Sequence, residues 1–419
     1  MLRRVGAPFL APPDRRVMTA ATRWPAVAAA IATGVVAAAY VGKLPPALPG
    51  LTSEFGLSLV AAGWVVSMFN AIATVTAIFF GIAADRAGAF RACIAGLLLL
   101  ALGGAGGALA SGTLALMASR VIEGVGFITV SVSAAALVFT AAAPDDRKLA
   151  LGVWSAYMPF GFAVTVLVAP LLLASVGWRG LWLGVVVATV LCGAWLATQR
   201  RHYALPPAGT RSLATLAAML RQPGPWWVAA AMGCYTAQWS SVMMWLPTFL
   251  VQERGSSVLA ASLATALAVA VNVPGTLTGT WLLQRRVARG RIIVAGAVTM
   301  GLCGVVSLAA PLPDALRYLA CLLLSYGGGI IPPAVLSSTQ AYARSGAQVA
   351  SLQGLIMQGS NLGQFVGPLA IAALVSATGS WATGAWVLGL AAACGMACGG
   401  VVSRIERRLA PAQGSPRPG

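Results

Sequence analysis

The sequence predicts an all-α membrane protein of twelve transmembrane helices in two pseudo-symmetric six-helix halves. Three observations carry this: too few charges for a water-facing surface, long apolar blocks, and an internal repeat. Hydrophobic residues make up 59% of the 419-residue chain and charged residues 9%. A soluble domain carries roughly 25% charged residues, so a globular surface could not be covered. The apolar residues run in blocks such as Trp24–Gly42, Leu59–Ala83 and Phe90–Ala110. These pass the roughly 18 residues needed to cross a bilayer, where a backbone must bond to itself as a helix.

Nine further spans are expected at Leu114–Thr140, Ala150–Val176, Leu181–Ala197, Trp226–Val251, Val258–Leu283, Ile292–Ala310, Tyr318–Tyr342, Val349–Ala377 and Trp381–Val402. The longest internal polar stretch divides the spans into two sets of six. The expected organisation is therefore a tail (1–23), a first six-helix bundle (24–198), a linker (199–225), a second bundle (226–402) and a second tail (403–419).

The net charge of +18 invites a nucleic-acid reading, but topology accounts for it. Of the 27 lysines and arginines, Lys43, Arg179, Arg254 and Arg317 fall on one side of the spans and Arg120 inside one; the other 22 share the opposite side. Such a split is the positive-inside rule, and it places the linker and both tails in the cytoplasm of a bacterial inner membrane. No nucleic-acid partner is expected, only the lipid bilayer. The leader before the first span does not read as a cleaved signal, and Met18 is an alternative start. The seven cysteines all sit in apolar blocks and read as small core residues. The lone histidine, His202, lies in a basic loop, so no metal or cofactor is expected.

The halves repeat at a fixed spacing. Gly81, Gly161 and Pro170 in the first half match Gly279, Gly359 and Pro368 in the second, each at an offset of 198 residues. Parallel six-helix repeats place a solute site between the halves near the bilayer midplane.

After span 2 the chain reads Gly81-Ile82-Ala83-Ala84-Asp85-Arg86-Ala87-Gly88-Ala89-Phe90-Arg91. This resembles the signature loop of the major facilitator superfamily. The resemblance implies a cytoplasmic gate built from Gly81, Asp85, Arg86 and Gly88 that stabilises one state of an alternating-access transporter. The copy is incomplete: Ala89 and Phe90 stand where a basic pair usually begins, and the second-half copy has Leu283 in place of the aspartate. Span 4 carries Arg120-Val121-Ile122-Glu123-Gly124, similar to the family's span-four motif. The stretches Leu44–Arg91, Trp154–Pro159 and Gly177–Arg179 are loosely similar to cyanate- and nitrate-type anion porters.

Arg120 and Glu123 lie three residues apart, on one helix face, and can pair. Charges inside a span are costly and ordinarily face a cavity or a partner. Glu123 is thus the candidate for proton coupling, with Arg120 as its partner or as a contact for an anionic solute. The alternative is an ion pair that only braces the span. Tyr40, Asn70, Tyr157, Tyr235, Gln238, Asn272, Tyr326, Gln358, Asn361 and Gln364 are polar residues placed to line a cavity, although each also suits interhelical bonding. Gly327-Gly328-Gly329 and Pro332-Pro333 predict a weak or kinked span 10.

The resemblance implies a secondary transporter, not an enzyme. Arg120 and Glu123 add the expectation of a small organic or anionic solute moved with protons as coupling ion, and the protein is expected to be a monomer. An alternative is proton-driven export of an amphiphilic metabolite such as a siderophore or drug. An enzyme would need a constellation of His, Asp, Cys or Ser that this chain does not offer.

Overall fold

The computed structural model describes residues 21–203, 220–309, 311–338, 342 and 346–409, without the side chains of 77–87, 148, 346–351 and 409. The described chain is helical throughout, and twelve spans follow from it. Ten stretches are long and apolar enough to cross a membrane. One of them, Tyr157–Thr198, is two spans joined at Gly177, where φ is 67° and ψ is −176°. A more polar helix, Pro223–Arg254, supplies span 7.

In order, span 1 is Trp24–Phe55, span 2 Leu59–Ala87, span 3 Ala89–Ala108 and span 4 Thr113–Ala141. Spans 5 and 6 share Tyr157–Thr198, and span 8 is Val258–Gln284. Span 9 is Arg289–Ala309, span 10 Asp314–Ser337, span 11 Gly346–Thr378 and span 12 Gly384–Leu409. Several limits move from their expected places: span 7 begins at Pro223 rather than Trp226, and span 12 runs on to Leu409. Span 10 is helical through Pro332 and Pro333.

The repeat is visible in the corners. Gly56 (φ 60°) closes span 1 and Gly255 (φ 62°) closes span 7, both left-handed as a glycine after a helix permits. Two residues on, the Ser58 hydroxyl accepts from Ala61 N at 3.2 Å and the Ser257 hydroxyl from Ala260 N at 3.2 Å, capping spans 2 and 8.

Packing repeats as well, through small residues that let backbones approach. Span 5 lies on span 1, where a methyl at Gly161 would stand 2.8 Å from the Ala38 Cβ. Span 11 lies on span 7 in the same way, Gly359 facing Ala229 with 2.8 Å to its carbonyl carbon. The two halves meet where span 2 packs on span 11, the joined spans 5 and 6 on the first part of span 8, and the end of span 1 on span 7. Trp64 meets Phe365 across this junction with ring centroids 6.0 Å apart, and Gln358 Nε2 donates to Val75 O at 3.2 Å.

Gly177 is a sharp test of the span 5–span 6 corner. Its φ and ψ lie in a region essentially reserved for glycine, so Gly177→Ala should cost about 1–3 kcal/mol. A lowered thermal midpoint of the detergent-purified protein, with Gly152→Ala unchanged, is the expected result; Gly152 has open space where a Cβ would go.

Candidate functional site

Lys43 does not lie in an outer loop, as its place in the sequence implied. The chain makes a single turn at Lys43 and re-enters a helix at Leu44–Phe55, with Pro45 and Pro46 in its first turn, where their missing N–H groups cost nothing. The Lys43 side chain is therefore wholly buried, as are those of Arg120 and Glu123. Among the described residues these three are the only buried charged side chains. The arginine-poor face keeps Arg179, Arg254 and Arg317.

The three form one cluster. Lys43 Nζ donates to Glu123 Oε1 at 2.7 Å, and Arg120 Nη1 donates to Glu123 Oε2. Arg120 Nη1 also donates to the backbone carbonyl of Tyr40 at 3.0 Å. Aromatic faces complete the enclosure: the Lys43 ammonium lies 4.2 Å from the Tyr40 ring centroid and 4.3 Å from that of Trp182. The Arg120 guanidinium lies 4.5 Å from the centroid of Phe69. Such contacts offset part of the cost of burying a cation, at about 0.5–2 kcal/mol each. Tyr40 and Thr189 hydroxyls bond to each other at 3.0 Å. Spans 1, 2, 4 and 6 thus each bring a side chain to the cluster, while span 3 contributes Gly103, whose missing side chain leaves room for the Glu123 stem.

A second polar cluster lies in the other half. Asn272 Nδ2 donates to Ser325 O at 2.9 Å and approaches Tyr235 Oη at 3.5 Å. Trp239 Nε1 donates to Ser325 Oγ at 3.1 Å, and Gln238 Oε1 is buried with no hydrogen-bond partner. Trp239 of the second cluster also meets Phe162 of span 5 across the junction between the halves, with centroids 5.9 Å apart.

Of the ten predicted cavity residues, Tyr40 joins the charged cluster and Tyr235 and Asn272 the second one, while Gln238 Nε2 donates to Cys234 O at 3.2 Å within span 7. The others are scattered. Tyr157 donates to Ser131 Oγ at 3.1 Å, and the Tyr326 and Thr278 hydroxyls bond at 2.8 Å. Asn361 donates to Met357 O at 2.7 Å and Gln364 to Ser360 Oγ at 3.3 Å, both within span 11. Asn70 is buried in span 2, and Gln358 spans the junction already described. In the gate motif Gly88 has φ 83° between spans 2 and 3, while the side-chain positions of Gly81, Asp85 and Arg86 lie outside the described residues. A cavity of about 390 Å³ touches none of these residues. It opens at the arginine-poor end of the second half beside the Arg254–Asp314 pair (3.3 Å).

Sequence reasoning missed Lys43, Trp182, Thr189 and Trp239. One signal for Lys43 was available: it follows Tyr40 by one helical turn inside an apolar run that continues to Leu51.

Comparison with known proteins fits this architecture. The chain is 28% identical over 187 residues to the arabinose-proton symporter of Escherichia coli (strain K12), covering 42% of this chain and 39% of that protein. The chain thus spans well under half the length of that relative. It is 25% identical over 380 residues to a Cupriavidus necator protein named "Probable sulfoacetate transporter SauU", covering 82% of this chain and 85% of the relative. A bacterial homologue of the human lysosomal transporter Spinster, in an inward-facing and unoccupied conformation, superposes with a TM-score of 0.78 at 14% identity. That match covers 92% of this chain and 97% of the other, and at such identity it speaks to fold alone. Residues 27–358 match the Major Facilitator Superfamily model, so the chain belongs to the major facilitator superfamily, a family of membrane transporters and not of enzymes.

Proposed function

We propose that this protein is a proton-coupled secondary transporter of a small organic or anionic solute, with Glu123 as the group that takes up and releases the coupling proton. The observation that carries the reading is the burial of Glu123, fully enclosed at mid-span and held by two cations. A carboxylate in that position is expensive unless it has a task, and intramembrane acids commonly relay protons. The proton-symporter name of the arabinose relative is in keeping with it. The sulfoacetate name favours an anionic solute, as does the excess of positive charge in the cluster. Neither relative is a cyanate or nitrate porter, so the looser likeness to those porters adds nothing here.

In this reading segments 24–198 and 226–402 rock against each other about the span 2–span 11 contact and the contact of the joined spans 5 and 6 with span 8. Gly81, Asp85, Arg86 and Gly88 gate the arginine-rich face, which is cytoplasmic in a bacterial inner membrane. The solute is gripped between the charged cluster and the Tyr235–Asn272 cluster, and the protein works as a monomer.

The test uses proteoliposomes loaded with a pH-sensitive dye and exposed to small carboxylates, sulfonates including sulfoacetate, and arabinose. A solute-triggered pH change in the wild type, abolished in Glu123→Gln, is the expected outcome. Solute entry with no accompanying proton movement in the wild type would overturn the proposal.

A further inference from the structure

We infer that Lys43 and Arg120 form a clamp for the carboxylate or sulfonate of a monoanionic solute, and that the Glu123 carboxylate occupies this clamp when the solute is absent. The inference rests on the reading of Glu123 as the proton acceptor and names what the same site binds.

Glu123 bridges the two cations with one oxygen each, the arrangement a free carboxylate would adopt between an ammonium and a guanidinium. The cluster holds more donors than it satisfies. Lysine offers three N–H groups and arginine five. Arg120 Nε and Trp182 Nε1 are buried with no hydrogen-bond partner. Two cations face one anion, so a unit of positive charge is enclosed without a counter-charge, a condition that favours any anion able to enter.

The charged and titratable groups facing Glu123 are Lys43 and Tyr40 from span 1 and Arg120 from span 4. Spans 2, 3 and 6 bring Phe69, Gly103, and Trp182 with Thr189, none of them charged. When a proton binds a Glu123 oxygen, the carboxyl becomes neutral and its hold on both cations weakens. The freed cations then accept one monoanion. The proton and the anion together bring no net charge, so the cluster is equally charged when empty and when loaded. Release reverses both steps, with the proton leaving Glu123 as its carboxylate reclaims Lys43 and Arg120. No covalent bond other than the carboxyl O–H forms or breaks. The cluster lies near the junction between the halves: Gly42, beside Lys43, packs on the Phe162 backbone, and the Phe162 ring touches Trp239 of the second half.

The experiment is a thermal-shift titration of the purified full chain at constant ionic strength and at pH 5.5 and 7.5. The probes are acetate, lactate and methanesulfonate, with acetamide as the neutral analogue of acetate. In the wild type, a proton taken up together with the anion makes anion affinity rise on acidification, while acetamide has no effect. Glu123→Gln should bind the anions equally at both pH values. Lys43→Gln should weaken binding at least about tenfold at pH 5.5, and Lys43→Arg should retain it. Should Glu123→Gln prove unstable, the wild-type pH pair and the two Lys43 variants carry the test. Binding unchanged by Lys43→Gln would overturn the clamp and leave the proton reading of Glu123 standing. Persistent pH dependence in Glu123→Gln would overturn the proton reading itself. Absence of binding by all three anions, or equal binding of acetamide, would overturn the clamp.

Discussion

Glu123→Leu should be the most destabilising single change in the charged cluster, and Lys43→Met one of the mildest. Removing Glu123 leaves Lys43 and Arg120 enclosed together with no anion, and an uncompensated buried charge costs about 3–5 kcal/mol. Removing Lys43 instead leaves Arg120 bonded to Glu123 as a neutral pair that also keeps its bond to the Tyr40 carbonyl. Methionine has a similar unbranched stem and fits between the rings of Tyr40 and Trp182, so a cost under about 1.5 kcal/mol is expected. Thermal unfolding of the detergent-purified variants checks the order. A charge-counting account fails if Lys43→Met unfolds as readily as Glu123→Leu. The contrast also separates stability from function, since Lys43→Met should fold well and yet lose anion binding.

Gly124→Val should prevent spans 2 and 4 from packing. An ideal Cβ at Gly124 runs into the Phe69 carbonyl oxygen and stands 2.8 Å from its carbon, so the obstacle is backbone and cannot rotate away. Phe69 in turn packs on Phe127, with centroids 5.3 Å apart, and covers the Arg120 guanidinium. Pushing span 2 outward would therefore open the charged cluster as well as the packing. Overpacking ordinarily costs about 1–3 kcal/mol, and loss of the enclosure adds to it. Low yield of monodisperse protein and a lowered thermal midpoint are expected. Gly152→Val is the control, being at an exposed position with nothing within 4 Å of its Cβ position. Equal behaviour of the two variants would count against the close approach of spans 2 and 4.

The Arg120–Glu123 pair was legible because it is local. Three residues on one helix fix the relation of the two side chains before any folding partner is known. The Lys43–Glu123 pair joins residues 80 apart in sequence, and nothing in the periodicity of either segment brings them together. Lys43 misled for a further reason. The Leu44-Pro45-Pro46 that follows it reads as the end of a helix, whereas the prolines occupy a first helical turn that continues the span. The ten polar cavity residues show the same limit. Polarity within an apolar span marks them out, but whether Asn272 meets Ser325 or Asn361 merely bonds within its own helix depends on span rotation.

By itself, then, the sequence determined the solvent, the number of spans and the two-fold repeat. Each follows from composition and spacing along the chain: a backbone in hydrocarbon has few alternatives to helices, and a duplicated pattern folds twice. Only the tertiary structure decided that Lys43 is an interior residue, that two cations share one carboxylate, and that Phe162 of the first half meets Trp239 of the second. Those facts depend on how spans 1, 4 and 6 are rotated and how deeply they pack. That is set by contacts such as Gly124 on Phe69 and Gly104 on Tyr40, made between segments that are remote along the chain.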